Sequence, residues 1–137
     1  MTSTVTIVGN ATRDPELRYT ASGTAVASFG IVYNKRAKND DGKWEDGDPQ
    51  FFDVTAWREL AENVAASIEK GTRVIVVGRL EYQTWEKDGD RRSKVQVVAE
   101  SVGPDLRWAQ TQVERVARSD RSVTADQVKA AFDEEPF

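Results

Sequence analysis

The sequence predicts a mainly β fold: a five-stranded barrel with one helix between strands 3 and 4, followed by a C-terminal extension. Three observations lead to this prediction. Segments rich in β-branched and aromatic residues recur along residues 4–102, one segment changes to helical spacing, and a glycine interrupts an unusually long strand pattern. Together they are typical of the OB-fold, a small Greek-key barrel.

The first two strands are predicted at residues 4–9 and 25–34. Val5 and Ile7 share one face of the first, and Phe29 and Ile31 lie on the bulkier face of the second. We predict that Phe29 and Ile31 belong to the core. Turn signals at Asp14-Pro15 and Ser22-Gly23 flank residues 16–19.

The third strand, residues 50–57, has two unlike faces. Phe52, Val54 and Ala56 form an apolar face, whereas the other face alternates aromatic with polar residues: Phe51, Asp53, Thr55 and Trp57. A surface that stacks flat, charged ligands needs both kinds of residue, and nucleic-acid bases on a phosphate backbone are the leading candidate. The alternative is that the rings cover a barrel end or that both faces are buried.

Residues 35–48, before this strand, are predicted to form a polar loop. The loop begins with basic residues, continues with acidic ones from Asp40, and contains Trp44. A tryptophan among charges is either an anchor folded back on the barrel or an exposed stacking platform, and the sequence leaves both interpretations open.

The remaining barrel elements follow the third strand. Residues 58–70 have helical spacing, with Gly71 at the expected C′ position, and one face of this helix is predicted to plug a barrel end. Residues 73–85 form a long strand that Gly78 is expected to bend, with a bulge there as a means of exchanging its faces. A hairpin loop, residues 86–93, turns at Asp88-Gly89, and residues 94–102 form the fifth strand.

Composition narrows the classes of function. The chain has 39% hydrophobic and 31% charged residues, which is typical of a soluble globular protein, and we expect it in the cytoplasm with no membrane association. It contains neither cysteine nor histidine, so we predict no cofactor, no metal site and no enzymatic activity. The net charge of −4 argues against simple polyanion binding, so any phosphate-binding surface must come from local clustering.

Five segments resemble, in order and spacing, those of bacterial single-stranded DNA-binding protein. They are G-N-A-T-R-D-P-E-L-R-Y (9–19), S-G-T-A-V-A-S-F (22–29), F-F-D-V-T-A-W-R-E-L-A-E-N-V (51–64), K-G-T-R-V-I-V-V-G-R-L (70–80) and W-E-K-D-G (85–89). The resemblance implies an OB-fold DNA-binding domain at residues 1–106 that assembles as a homotetramer. It also implies sequence-nonspecific binding of single-stranded DNA in replication, recombination and repair, in association with the nucleoid.

Site residues are expected in two groups. The resemblance places base-stacking rings at Phe51, Trp57 and Trp85, and Trp44 is a fourth candidate. Phosphate contacts are expected among Arg13, Lys35, Arg36, Lys38, Arg73, Arg79, Arg91, Arg92 and Lys94. Ala37 stands where many members carry an aromatic residue, so one platform is missing unless Trp44 or Tyr33 replaces it.

The extension, residues 107–137, departs from the family's long Gly/Pro/Gln-rich linker. It has helical spacing at Ala109, Val113, Val116 and Ala117, and Thr124-x-x-Gln127 has the pattern of a capping box. Its end keeps the family's acidic Pro-Phe tip, which docks onto replication and repair proteins: Asp133, Glu134, Glu135, Pro136 and Phe137. Glu135 departs from the apolar residue preferred there, and an ordinary solvated end is the alternative.

One rival function remains at this point. An OB module that binds proteins, such as a primosome-type accessory subunit, is favoured by the net negative charge and the atypical extension. The sequence also leaves open whether the chain is a principal replication protein or a specialised paralogue.

Overall fold

The computed structural model of the chain describes residues 3–117, and within them six strands and one helix follow one another. These elements are β1 (Thr4–Ala11), β2 (Glu16–Tyr19), β3 (Ala25–Lys38), β4 (Trp44–Trp57), α1 (Glu59–Ser67), β5 (Arg73–Lys87) and β6 (Asp90–Pro104). The helix therefore lies between β4 and β5, which are the third and fourth of the five long strands.

The five long strands close into a barrel. The sheet order is β1-β5-β6-β4-β3-β2, and β1 pairs again with β3 through Asn10↔Val32 and Ala11↔Ile31. β4 and β6 are parallel, whereas the other pairs are antiparallel. This closed ring, with its helix between the third and fourth barrel strands, confirms the predicted OB-fold.

The barrel interior is filled by alternate residues of its strands. Phe29 and Ile31, predicted as core, are completely buried, and Val54 and Ala56 bury the apolar face of β4 as expected. The largest fully buried side chains are Phe29, Ile31, Val54, Val74, Val76 and Val97. Ala61 and Val64 of α1 belong to the same cluster, so the helix covers the barrel core as predicted.

The predicted irregularity at Gly78 is present, but the extra residue lies in the partner strand. Val77 pairs with Ser101 and Gly78 pairs with Ala99, which leaves Glu100 as the bulged residue of β6. A Cβ on Gly78 would collide with the backbone carbonyl of Val98. The strands thus approach too closely for a side chain there, and β5 keeps the same face on both sides of the bend.

The helix is shorter than residues 58–70. Arg58 precedes it at φ 61° and ψ −132°, and the Ile68 backbone N–H donates to the Val64 carbonyl in its last turn. Gly71 is therefore not the C′ residue. It has φ 91° inside a separate turn in which the Thr72 N–H donates to the Glu69 carbonyl, and glycine adopts that conformation without strain.

Two predicted loops are shorter than expected, because most of their residues belong to strands. Residues 35–48 continue β3 to Lys38 and begin β4 at Trp44, and residues 86–93 continue β5 and β6 around a two-residue turn. Asp88 and Gly89, at φ 54° and 82°, form that turn. These limbs are polar on both sides and held by backbone ladders, so no apolar alternation marks them. The short strand β2 was also not predicted.

The extension begins where β6 ends at Pro104. Residues 109–117 form neither helix nor strand, so the helical spacing predicted there does not produce a helix. Val113 and Val116 are exposed, and an isolated short helix without an apolar partner surface is unstable in water. The Thr124–Gln127 pattern and residues 133–137 lie outside the described residues. Within residues 3–117, no helix has the length and apolar character needed to cross a membrane.

Candidate nucleic-acid interface

The outer surface of β4 carries the predicted alternation of rings and polar groups. Phe51 is 68% exposed and Trp57 is 43% exposed, while Val54 and Ala56 point into the core between them. We call the outer surface shared by this side of β3, β4, β5 and β6 the ring face. Its two aromatic residues on β4 are six positions apart, a separation of about 20 Å along a strand.

Cross-strand register extends the ring face from β4 to β6 and β5. Asp53 pairs with Gln96, Lys94 pairs with Gln83, and Arg92 pairs with Trp85. Directly opposite residues point to the same side of a sheet, so Trp85, which is 42% exposed, shares the face of Phe51 and Trp57. A hydrogen bond from Thr55 Oγ1 to Gln96 Oε1, 3.1 Å long, joins β4 and β6 on this side.

On the β3 side, the residues opposite Thr55 and Asp53 are small, so the aromatic rings of β4 project beyond them. Ser28 pairs with Thr55, and Gly30 pairs with Asp53. The Thr12 hydroxyl oxygen and the Arg13 Nη1 lie over Gly30, 2.5 Å and 3.4 Å from the position that a Cβ there would take. Arg13 therefore reaches the middle of the ring face from the loop after β1.

Trp44 lies on a strand and is not folded back on the barrel. It is 60% exposed, it pairs with Lys38, and the Lys38 ammonium lies 5.7 Å from its ring centroid. The bulge beyond Asn34 adds its extra residue to β4, so β3 keeps its alternation and places Lys38 on the side of Val32 and Phe51. The loop-anchor interpretation of Trp44 is wrong, and its ring belongs to the ring face.

Tyr33, like Ala37, lies on the side of β3 that faces away from the ring face. Its ring stacks on Phe52 with centroids 5.9 Å apart and an interplanar angle of 10°. Tyr33 and Phe52 alternate with the residues of the ring face, so they lie on the opposite side of the hairpin.

Six of the nine predicted phosphate contacts lie on the ring face and three do not. Lys35 and Arg91 point away from the ring face, because each directly precedes a residue that lies on it. Arg73 lies at the other end of β5 from Trp85, where its Nε is 2.8 Å from Asp105 Oδ2. The six on the ring face are Arg13, Arg36, Lys38, Arg79, Arg92 and Lys94.

Arg73 belongs to a separate cluster at the start of the extension. Its guanidinium and that of Arg107 each lie 4.9 Å from the ring centroid of Trp108, which is 71% exposed. The hydrogen bond from Arg73, aided by one from the Arg107 backbone N–H, lowers the pKa of the Asp105 carboxyl. Trp108 is therefore exposed, and its ring contacts two guanidinium groups.

Two cations of the ring face are already paired with carboxylates. Lys94 Nζ lies 3.1 Å from Asp53 Oδ2, and Arg79 Nε lies 3.4 Å from Glu81 Oε1. The Arg79 contact lacks hydrogen-bond geometry, so its buried Nε has no hydrogen-bond partner among the described residues. The ring face therefore has fewer unpaired positive charges than the number of its lysines and arginines.

A groove beside Trp57 was not predicted from the sequence. Its volume is about 660 Å³, and Thr20, Ser22 and Thr24 form part of its wall. The Thr20 and Ser22 hydroxyl oxygens are 2.9 Å apart. The groove is also lined by Trp57, Arg58, Arg79, Val98, Ala99 and Glu100. The alternation of hydroxyl residues at 20–24 was the only signal for it, and turns commonly have that composition.

Known protein families, known proteins and solved structures include relatives of this chain. Residues 2–105 match the single-strand binding protein family. A single-stranded DNA-binding protein of Paenarthrobacter nicotinovorans is 47% identical over 119 residues, which cover 85% of this chain and 70% of the relative. One from Mycolicibacterium smegmatis is 45% identical over 119 residues, with coverage of 85% and 72%.

Solved structures support the same assignment. The crystal structure of a small single-stranded DNA-binding protein from Streptomyces coelicolor has a TM-score of 0.64 to this fold and 33% sequence identity. The match covers 75% of this chain and 94% of that chain. The chain therefore belongs to the single-strand binding protein family.

Proposed function

We propose that the protein binds single-stranded DNA with little dependence on sequence, and so protects and organises it in replication, recombination and repair. The observation that carries this proposal is the set of exposed rings on one outer face: Trp44, Phe51, Trp57 and Trp85. Every base has a π-face, so stacking on such rings is tolerant of sequence. The names of the relatives point to the same ligand.

Cations between the rings supply the second part of the mechanism. A lysine or arginine that neutralises a phosphate releases condensed counterions, which favours binding and makes it sensitive to salt. Arg13 at the middle of the face, Arg36 and Lys38 beside Trp44, and Arg92 opposite Trp85 are positioned to follow a backbone from ring to ring. This local clustering answers the objection raised by the net charge of −4.

Assembly and partners form a further part of the proposal. Residues 1–106 act as the DNA-binding domain, and β6 ending at Pro104 together with the family match over residues 2–105 supports that boundary. We propose a homotetramer that works on DNA in the cytoplasm, associated with the nucleoid. The acidic end at residues 133–137 would dock onto replication and repair proteins, with basic side chains meeting its carboxylates and an apolar pocket receiving Phe137. We propose binding without catalysis, consistent with a chain that has no histidine or cysteine.

Titration with oligothymidine, followed by anisotropy of a dye on the DNA, tests the stacking rings. Trp57→Ala and Trp85→Ala should each weaken binding by about five- to a hundredfold, because each removes one stacked base. Trp108→Ala is the matched control, since it removes an exposed tryptophan outside the ring face. Unchanged affinity in both ring-face variants would refute the stacking assignment.

A second candidate function is protein binding, and the net negative charge favours it. A salt titration separates the two, because binding to single-stranded DNA should weaken on a log–log plot with a slope of about −0.7 per neutralised phosphate. Repeating it without residues 107–137, with the mass measured in solution, tests the assembly and the contribution of the extension.

A further inference from the structure

The centre of the ring face holds a carboxylate between two cations. Asp53 lies on β4 between Phe51 and Thr55, and its Oδ2 is 3.1 Å from Lys94 Nζ on the neighbouring strand β6. On the other side, the Arg13 Nη1 lies beside the Thr12 hydroxyl over Gly30, the residue directly opposite Asp53. An acidic group thus stands where a DNA backbone would meet its cations.

The pair is open to exchange. The Asp53 and Lys94 side chains are each 44% exposed, so water and ions reach both partners. Partly exposed ion pairs contribute little net stability and are screened by salt. A phosphate oxygen offers Lys94 the same kind of contact as a carboxylate oxygen does, and DNA therefore competes with Asp53 for the same ammonium group.

Contacts other than this pair join β4 to β6. Asp53 lies outside the core cluster, and the parallel β4–β6 contact is made by backbone pairing at three positions and by the Thr55–Gln96 hydrogen bond. The carboxylate makes binding harder in two ways: Lys94 must leave it, and it then remains close to the incoming phosphate.

We propose that Asp53 is an affinity-setting residue that occupies Lys94 as an internal substitute for phosphate. The inference rests on the proposed function. Single-stranded DNA exchanges with the carboxylate, so the protein binds more weakly and releases DNA more readily than its rings and cations alone would permit. Lys94 adds to the salt dependence of DNA binding only in those complexes in which a phosphate has replaced the Asp53 carboxylate.

The test is a two-by-two set of variants: wild type, Asp53→Asn, Lys94→Gln and the double variant. Asparagine keeps the shape of Asp53 and accepts a hydrogen bond from Lys94, but it carries no charge. Asp53→Asn should tighten oligothymidine binding by about two- to fivefold and steepen the log–log salt slope by up to about 0.7 per subunit. Glu69→Gln, an equal charge change in the turn after α1, should produce neither effect.

The double variant identifies the route of the effect. If Asp53 acts by occupying Lys94, most of the gain from Asp53→Asn disappears in the Lys94→Gln background. An equal gain in both backgrounds would show that Asp53 repels DNA directly and would overturn the exchange. Wild-type binding with no gain in Asp53→Asn would overturn only this inference, whereas wild-type protein that fails to bind oligothymidine at low salt would overturn the proposed function itself.

Discussion

The barrel wall and the two hairpin arms present the same kinds of side chain on very different supports. Trp57 stands on a wall whose neighbouring positions, Val54 and Ala56, are buried. The arms, residues 33–51 and 81–95, contain no buried residue, yet Trp44 and Trp85 lie on them. The ring face therefore combines a centre fixed by the buried core with outer arms that are held mainly by backbone pairing.

The largest expected effect comes from the core beneath the wall. Phe29→Ala should lower the free energy of unfolding by about 3–5 kcal/mol, because it leaves a cavity among fully buried side chains. Trp85→Ala, on an arm, should change it by less than about 0.5 kcal/mol. Urea unfolding followed by far-UV circular dichroism measures both. Equal losses would mean that the arm is as much a part of the cooperative unit as the wall.

A smaller effect is expected at the turn of the β5–β6 arm. Gly89 has φ 82°, and a β-branched residue there is strained, so Gly89→Val should fray the arm. Oligothymidine affinity should then fall about five- to tenfold, towards that of Trp85→Ala, while the urea midpoint changes little. Adding Gly89→Val to Trp85→Ala should cost less than the two single losses combined, because only the contribution of Arg92 remains to be lost. A fully additive loss would show that the turn acts independently of Trp85.

A smaller change, and a gain, is expected at the end of the wall. Arg58 holds φ 61° and ψ −132° where β4 turns into α1, a conformation that suits glycine. Arg58→Gly should stabilise the protein by about 0.5–1 kcal/mol, as relief of strain outweighs the added freedom of the unfolded chain. Arg58→Ala keeps the strain, and a similar gain from alanine would contradict this explanation.

The smallest effect concerns the start of the extension. The hydrogen bond from Arg73 lowers the pKa of the Asp105 carboxyl in the folded chain below the ordinary 3.8. The ionised carboxylate therefore stabilises the fold above pH 3.8. This contribution should disappear as pH falls through the lowered value. Urea unfolding of wild type and Asp105→Asn should therefore differ at pH 7 and converge as the pH falls below the lowered pKa. A difference that persists in acid would exclude the ionised pair as its source.

The sequence predicted the wall better than the arms. Phe51 and Trp57 were assigned to one face and Val54 to the other because a half-buried strand imposes a period of two on its residues. The arms carry polar residues on both sides, so residues 35–48 looked like a loop. The Lys94–Asp53 pair could not be predicted, since it depends on parallel pairing between β4 and β6, which are far apart in the chain.

The position of Trp108 has an optical consequence. Of the four tryptophans, Trp44, Trp57 and Trp85 lie on the ring face, while Trp108 is held between two guanidiniums at the start of the extension. We expect bases stacked on the ring face to quench the first three and not Trp108, whose emission should then persist at saturation. Trp108 would then serve as an internal reference fluorophore, against which occupancy of the ring face can be measured without an added label.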